Sequence, residues 1–415
     1  VEIRRDRYLD RLKRRKWNGS IKVITGVRRC GKSYLVFKLF KEHLLSEGVD
    51  PENIIEIELD KVQNIPLREP LALYEKIVAL TKDKKCYVLL DEIQYVKGFE
   101  PVLNGLIKIK NIDVYVTGSN SKLLSTDVIT EFRGRGDEVR VHPLSFSEFV
   151  TAYPGKEEEA WKMYCTFGGM PELLSKSDDE EKTAYLQNLM KKVYLDDIKE
   201  RNSIRLENEL DNIVDFICSS VGSLTNPLRI SNTLRTVNNS SIDSETVYSY
   251  LGFLEDSFLF EKSKRYDVRG KKYFDTMVKY YAVDVGLRNA RLNFRQQEDT
   301  HIMENIIYNE LRSRGFSVDV GIVENRVTKA GVSEYRQLEI DFVANKGSLR
   351  YYIQSTYRMP EGEKKEQELR PLLKIGDSFK KIMIVGDDIY LRRDDHGVVT
   401  MGIRQFLLNE NSLDL

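Results

Sequence analysis

Gly26-Val27-Arg28-Arg29-Cys30-Gly31-Lys32-Ser33 decides how the rest of this chain is read. The octet satisfies G-x-x-x-x-G-K-[ST], follows the apolar strand candidate Ile21–Thr25 and opens a helical stretch reaching about Glu47. Glycines let the backbone curl until successive N–H groups converge on one anion, and the helix N-terminus adds its positive dipole end. Those features call for a polyphosphate, and ATP with Mg2+ is the expected ligand pair. On this pattern Gly26, Val27, Arg28, Arg29, Cys30, Gly31, Lys32, Ser33 and Tyr34 line the nucleotide. Lys32 reaches the β- and γ-phosphates and the Ser33 hydroxyl ligates the metal. Arg28 and Arg29 meet phosphate or a partner, or simply face solvent. Cys30 has no base near it in sequence and is not read as a nucleophile.

Downstream, Tyr87-Val88-Leu89-Leu90 is a second buried-type strand that delivers Asp91-Glu92 at its C-terminal end. Alone, such an acidic pair more often serves a helix N-terminus. Some sixty residues after a phosphate loop, Asp91 is expected to hold the Mg2+ shell and Glu92 to orient or deprotonate the attacking water. A third strand, Val114–Thr117, ends in Gly118-Ser119-Asn120, where Ser119 or Asn120 would sense the γ-phosphate, or form an ordinary turn. Arg133 and Arg135 stand on a glycine-flexed loop. Arg135 is the better candidate for transition-state charge, in cis or at a subunit boundary, against the alternative of a solvated basic loop. Short apolar strands alternating with helices predict an α/β fold, a P-loop NTPase parallel sheet covered on both faces.

Composition bounds the remainder. With 415 residues, 41% apolar and 31% charged, the chain is globular and long enough for several domains. Lys+Arg and Asp+Glu are both 65, so any pull toward nucleic acid must come from a local patch. Four scattered cysteines form no metal or disulfide pattern, and no apolar run approaches the roughly 20 residues of a membrane span. The charged leader from Glu2 to Arg7 lacks a signal-peptide core, so a cytoplasmic protein without membrane contact is expected.

Four parts follow from the pattern. The ATPase domain takes residues 1–150 and a helical lid or connector 151–205. A winged-helix-like unit takes 206–275, and a small α/β domain 276–415. The middle unit has short helices closing on a hairpin, Phe258–Phe274, with its tip near Asp267–Lys272. The helix Asp243–Glu255 carries no Lys or Arg for DNA, whereas Lys262, Lys264, Arg265, Arg269, Lys271 and Lys272 make the hairpin (262–272) a candidate DNA contact. A solvated or protein-docking hairpin fits equally well.

Taken together, the phosphate loop, Asp91-Glu92 and Thr117-Gly118-Ser119 resemble a group of prokaryotic ATPases with an N-terminal AAA-type domain and a C-terminal DUF4143 domain. The resemblance runs from residue 21 to about 385. It includes Pro143–Phe149, Phe167-Gly168-Gly169-Met170-Pro171, Arg265-Tyr266-Asp267 and Glu339-Ile340-Asp341-Phe342. It implies an AAA+/STAND-like core, a winged-helix middle and a restriction-endonuclease-like C-terminal fold. A nuclease of that fold needs a helix acid, an Asp and an (Asp/Glu)-x-Lys strand. Here Glu304 or Glu310 supplies the first and Asp341 the second, but Gln354 and Thr356 stand where the acid and lysine belong. A degenerate scaffold is therefore expected.

The resulting expectation is an Mg2+-dependent ATP-hydrolysing regulatory or motor protein that couples nucleotide state to its C-terminal domains and self-associates through the ATPase domain. The alternatives are a nucleotide-gated interaction switch with little turnover, or an ATP-dependent nuclease of a defence system.

Overall fold

Apolar strands that must bury both faces pair best in a parallel sheet, and the N-terminal part of the chain does this. The computed structural model describes residues 2–82, 84–119, 136–296, 298–329, 332–359 and 362–415. The chain divides into two compact units, Val1–Pro143 with Asp256–Phe258, and Leu144–Glu255 with Leu259–Leu415.

In the first unit, β1 (Ile21–Thr25), β2 (Ile54–Glu58), β3 (Cys86–Asp91), β4 (Ile112–Thr117) and β5 (Gly136–Arg140) form one sheet. Its order is β2-β3-β4-β1-β5 and every neighbouring pair is parallel. This is the parallel α/β sheet of a P-loop NTPase. Every residue of β1, β3 and β4 is buried, which explains their near-continuous apolar runs. One side of the sheet, through Val23, Val88, Leu90, Val114 and Val116, packs against Leu73 and Ile77 of α4 (Pro70–Thr81) and Leu103 of α5 (Glu100–Leu106). Each such side chain contributes about 1.5–3 kcal/mol on burial.

Lys22 interrupts β1 and is fully buried. Its ammonium is bonded to Asp113 of β4, whose second oxygen accepts from the Trp17 N–H and the Tyr115 hydroxyl, each at 3.0 Å. A charge buried this deeply persists only because it is paired.

Because β4 lies between β1 and β3, its tip at Thr117 separates the phosphate loop from Asp91. The loop leads into α2 (Lys32–Tyr34), which continues through a π-helical turn, Leu35–Phe40, into α3 (Lys41–Ser46). The basic leader forms α1 (Asp6–Arg14) and buries Tyr8 and Leu12.

The second unit opens with helices α6 (Phe146–Ala152), α7 (Glu157–Phe167), α8 (Asp179–Asn188) and α9 (Asp196–Arg201). They are followed by α10 (Glu207–Ser219), α11 (Pro227–Asn238) and α12 (Ser244–Asp256). A capping box, Ser145 with Glu148, starts α6. The hairpin of β6 (Phe260–Asp267) and β7 (Lys272–Ala282) comes next, then α13 (Val285–Arg291) and α14 (Asp299–Ser313). Beyond them lie β8 (Ser317–Lys329), β9 (Val332–Lys346), β10 (Leu349–Thr356), α15 (Gly362–Leu373), β11 (Lys380–Val385), β12 (Arg392–Arg393), β13 (Val399–Gly402) and α16 (Ile403–Leu408).

All eight strands join one mixed sheet, β12-β13-β11-β10-β9-β8-β6-β7. The hairpin read as a free wing is therefore part of a larger sheet. β6 pairs in parallel with β8 through Arg265↔Val320 to Asp267↔Ile322, and β7 runs across the expected boundary at residue 275. Local alternation reveals a hairpin but not the partner its outer edge will find. Among the described residues, no helix is long and apolar enough to cross a membrane.

Candidate functional site

The phosphate loop starts with a constraint on its first residue. Gly26 has φ 138°, and a Cβ added there would lie 2.1 Å from the Val141 carbonyl oxygen, so only glycine fits. Val27 and Cys30 are buried beneath the loop, and the Cys30 thiol donates to Val141 O at 3.4 Å. That inward orientation agrees with a packing role for Cys30. Arg29 and Gly31 both take positive φ, 62° and 99°, which produces the tight curl ahead of α2. Arg28 is half-buried and Arg29 exposed. Tyr34 sits in α2 one turn into the helix, with the Lys38 ammonium 5.5 Å from its ring centroid. The Lys32 ammonium folds back over the loop and donates to the carbonyls of Gly26 (3.0 Å) and Val27 (3.1 Å).

Facing the loop, the Ser33 hydroxyl donates to Asp91 Oδ1 at 3.0 Å. The Thr117 hydroxyl from the intervening strand donates to the same oxygen, and Thr117 Oγ1 in turn accepts the Glu92 N–H at 3.0 Å. Burial pushes the Asp91 carboxyl above its ordinary range, and the bonds from Thr117 and Ser33 oppose the shift. Beside it, at the end of β2, Glu58 and Asp60 bring carboxylate oxygens to within 4.8 Å of one another and of Asp91. A serine hydroxyl next to carboxylate oxygens is the donor set a hard cation prefers, so these residues fit Mg2+.

Glu92 has φ 51° and ψ 53°, a left-handed conformation rare for a side-chain-bearing residue. Its Oε2 accepts from the Gln94 amide and, at 3.5 Å, from the Ser119 hydroxyl. Gln94 Nε2 also lies 3.4 Å from Ser119 Oγ. The structure thus brings Lys32, Ser33, Asp91, Glu92 and Ser119 to the C-terminal edge of one sheet. Asn120, Arg133 and Arg135 lie outside the described residues.

Sequence reading missed Thr117, Gln94, Glu58 and Asp60. The alternation Glu56-Ile57-Glu58-Leu59-Asp60 at a strand end was the available signal for the last two. Gln94 carries no motif, and only the 3-10 turn Ile93–Tyr95 returns it to Glu92.

A second polar cluster lies in the other unit. Glu304 of α14 accepts from Lys279 of β7 at 2.9 Å and from the Tyr281 hydroxyl at 2.7 Å, and Lys279 also bonds Glu339 at 2.8 Å. Asp341 accepts from the Ser355 N–H and hydroxyl, both at 2.8 Å. Burial, reinforced by the Glu304 carboxylate, pushes Asp341 up to about 7. Glu310, the other helix-acid candidate, is paired instead with Arg314 at 2.7 Å. Gln354 faces Glu368 at 3.5 Å and the Thr356 hydroxyl donates to the Arg358 carbonyl at 3.1 Å. Lys279, the cation bonded to Glu304 and Glu339, comes from the hairpin rather than from the strand where a nuclease lysine belongs.

Three of the hairpin's other cations are also engaged. Lys262 pairs with Glu255 at 3.1 Å, Arg265 donates to Gln337 at 2.5 Å, and Arg269 donates to the Lys374 carbonyl at 2.9 Å.

Comparison with known proteins places this geometry in a family. Residues 18–150 match the model of an AAA domain, and residues 158–298 match a domain of unknown function, DUF8612. The latter corrects the DUF4143 expectation, and a nuclease fusion finds no support. The short turn and strand-end motifs behind that expectation do not discriminate between such domains.

An uncharacterized protein of Haemophilus influenzae is 34% identical over 413 residues, spanning 98% of each chain. The uncharacterized protein MJ1544 of Methanocaldococcus jannaschii is 28% identical over 89% of this chain and 82% of its own. Among solved structures, the chain is similar to the Aeropyrum pernix ORC1 protein in complex with DNA. That pair shows 12% identity over 71% of this chain and 93% of the other, with a TM-score of 0.31. For Cdc6p from Pyrobaculum aerophilum the values are 11%, 73%, 94% and 0.30. With an AAA domain at its N-terminus and near end-to-end similarity to the Haemophilus influenzae protein, the chain belongs to that protein's family of AAA-type P-loop proteins.

Proposed function

We propose that the chain binds ATP with Mg2+ at Gly26–Ser33 and Asp91, hydrolyses it, and uses nucleotide state to regulate or drive its C-terminal unit. The observation that carries this reading is the 3.0 Å bond between Ser33 Oγ and Asp91 Oδ1 beside a glycine-clamped phosphate loop. Loop and helix N–H groups bind the phosphates, and Lys32 exchanges its bonds to the Gly26 and Val27 carbonyls for phosphate oxygens. Ser33 and Asp91 would hold Mg2+, with the Glu58 and Asp60 carboxylates beside them; the ion would neutralise phosphate charge. Glu92 accepts the proton of the attacking water, and Ser119 reports the γ-phosphate. Arg135, as a charge-stabilising residue at a subunit boundary, belongs to the same proposal.

Hydrolysis of ATP by the wild type, Lys32→Ala and Glu92→Gln, each with and without duplex DNA, tests it. Turnover lost in both variants is expected. Stimulation by DNA would give the ATPase a nucleic-acid partner, and DNA-independent turnover would direct the search to a protein partner. Wild-type turnover that survives both substitutions would overturn the assignment.

One observation favours a second reading, a nucleotide-gated switch with slow turnover. The Glu92 Oε2 is tied to Gln94 and Ser119, whose donors compete with water for that oxygen. Binding of ATP without turnover would select this reading.

A further inference from the structure

The AAA-domain match begins at residue 18, so the basic leader lies outside it. Yet one leader side chain reaches the phosphate loop. Arg5, only 2% exposed, donates from Nη1 to the Cys30 carbonyl at 3.0 Å and from Nη2 to the His142 carbonyl at 2.6 Å. Its guanidinium lies 4.7 Å from the ring centroid of Tyr8, and the Tyr8 hydroxyl accepts the His142 N–H at 3.2 Å. One planar fork therefore joins the phosphate loop to the segment after β5.

That segment also supplies Val141 O, the atom that the Cys30 thiol meets and that leaves no room for a side chain at Gly26. The chemical consequence follows from peptide geometry. In a trans peptide the C=O and the following N–H point in opposite directions. The carbonyl of Cys30, held by Arg5, therefore turns the Gly31 N–H away from the leader. Gly31 is the residue immediately before Lys32 and Ser33, where a phosphate-facing donor is required.

We infer that Arg5 is a positioning residue of the nucleotide site, holding the Cys30–Gly31 peptide in its anion-binding orientation. The inference rests on the nucleotide-binding reading of Gly26–Ser33. A lysine in its place offers a point charge that cannot reproduce the two-pronged contact, so the substitution is not conservative here.

Equilibrium binding of Mg2+-ATP to the full chain tests this, with thermal unfolding measured in parallel. The variants are Arg5→Gln, Arg5→Lys, Leu12→Ala and Lys32→Ala. Arg5→Gln is expected to weaken binding about tenfold or more, and Arg5→Lys by less. Turnover at saturating ATP should fall less than the affinity does. Leu12→Ala removes a buried contact of the same helix and should lower the melting temperature while leaving affinity unchanged. If Arg5→Gln does not fold, Arg5→Lys carries the comparison.

Wild-type affinity in the Arg5 variants, with binding lost in Lys32→Ala, overturns the inference and leaves the site standing. Equal loss of affinity in Leu12→Ala also overturns it, by reducing Arg5 to general docking of the helix. Unaltered binding in Lys32→Ala overturns the site and the inference with it.

Discussion

On the proposed reading, Glu92 shows how a few atoms set a rate. Its left-handed backbone aims the side chain at Gln94 and Ser119, and their bonds to Oε2 compete with any water. Hydrogen bonds to a charged group are worth about 1.5–3 kcal/mol, enough to change a rate constant by tenfold or more. Gln94→Ala is accordingly expected to raise kcat several-fold with KM unchanged, measured by steady-state ATP hydrolysis. A fall in kcat would show that Gln94 orients Glu92 instead of restraining it. Gly26→Ala should abolish tight nucleotide binding, because the added methyl carbon would sit 2.1 Å from Val141 O, a backbone atom with little room to move. Titration with an ATP analogue checks this. At this scale the juxtaposition of Lys32, Ser33, Asp91 and Glu92 was legible because their spacing is a local code. That of Thr117, Gln94 and Arg5 was not, since each reaches this edge through a strand order or a docking that no short window encodes.

Among the elements, β7 carries the most consequential side chain. Lys279, 3% exposed, stands among Glu304, Glu339 and, by charge, Asp341. Removing the cation leaves the buried Glu304 carboxylate facing Glu339 and Asp341 without a counter-charge, and breaking a buried pair in this way costs about 3–5 kcal/mol. Lys279→Met should show it by chemical denaturation.

The acids of this unit also give its stability a slope with pH. Asp341 is pushed up to about 7, and Asp284, buried beside the Gly169 and Leu287 N–H groups, up to about 6. Both exceed the unfolded carboxylate value near 4. Between those limits the folded state holds more protons than the unfolded one, so stability falls as pH rises from about 4 to about 7. Asp341→Asn should reduce that slope in melts across the window while Asp284 retains its share. The hairpin, the helix bearing Glu304 and the strand bearing Asp341 were readable from alternation and periodicity. The joining of β6 to β8 was not, because edge pairing depends on a partner some fifty residues away.

For the molecule as a whole, balanced charge leaves no general field for nucleic acid, and the hairpin that concentrated the cations spends several of them internally. Replacing Lys264, Lys271 and Lys272 with Ala should therefore leave ATP turnover unchanged, with or without duplex DNA. A loss of DNA stimulation confined to that variant would restore the hairpin as a contact. The doubly wound core of the first unit was legible from its strands, whereas the extent of the second sheet emerged only from the fold.

That sheet has a practical corollary. The DUF8612 match stops at residue 298, yet β6, inside it, is hydrogen-bonded to β8 beyond it. A polypeptide ending there would present β6 as a bare, unpaired edge, inviting other chains to stack onto it. Recombination or proteolysis at this point would yield sticky fragments, not a transferable module. A fragment meant to keep this sheet whole should therefore run from about residue 144 onward.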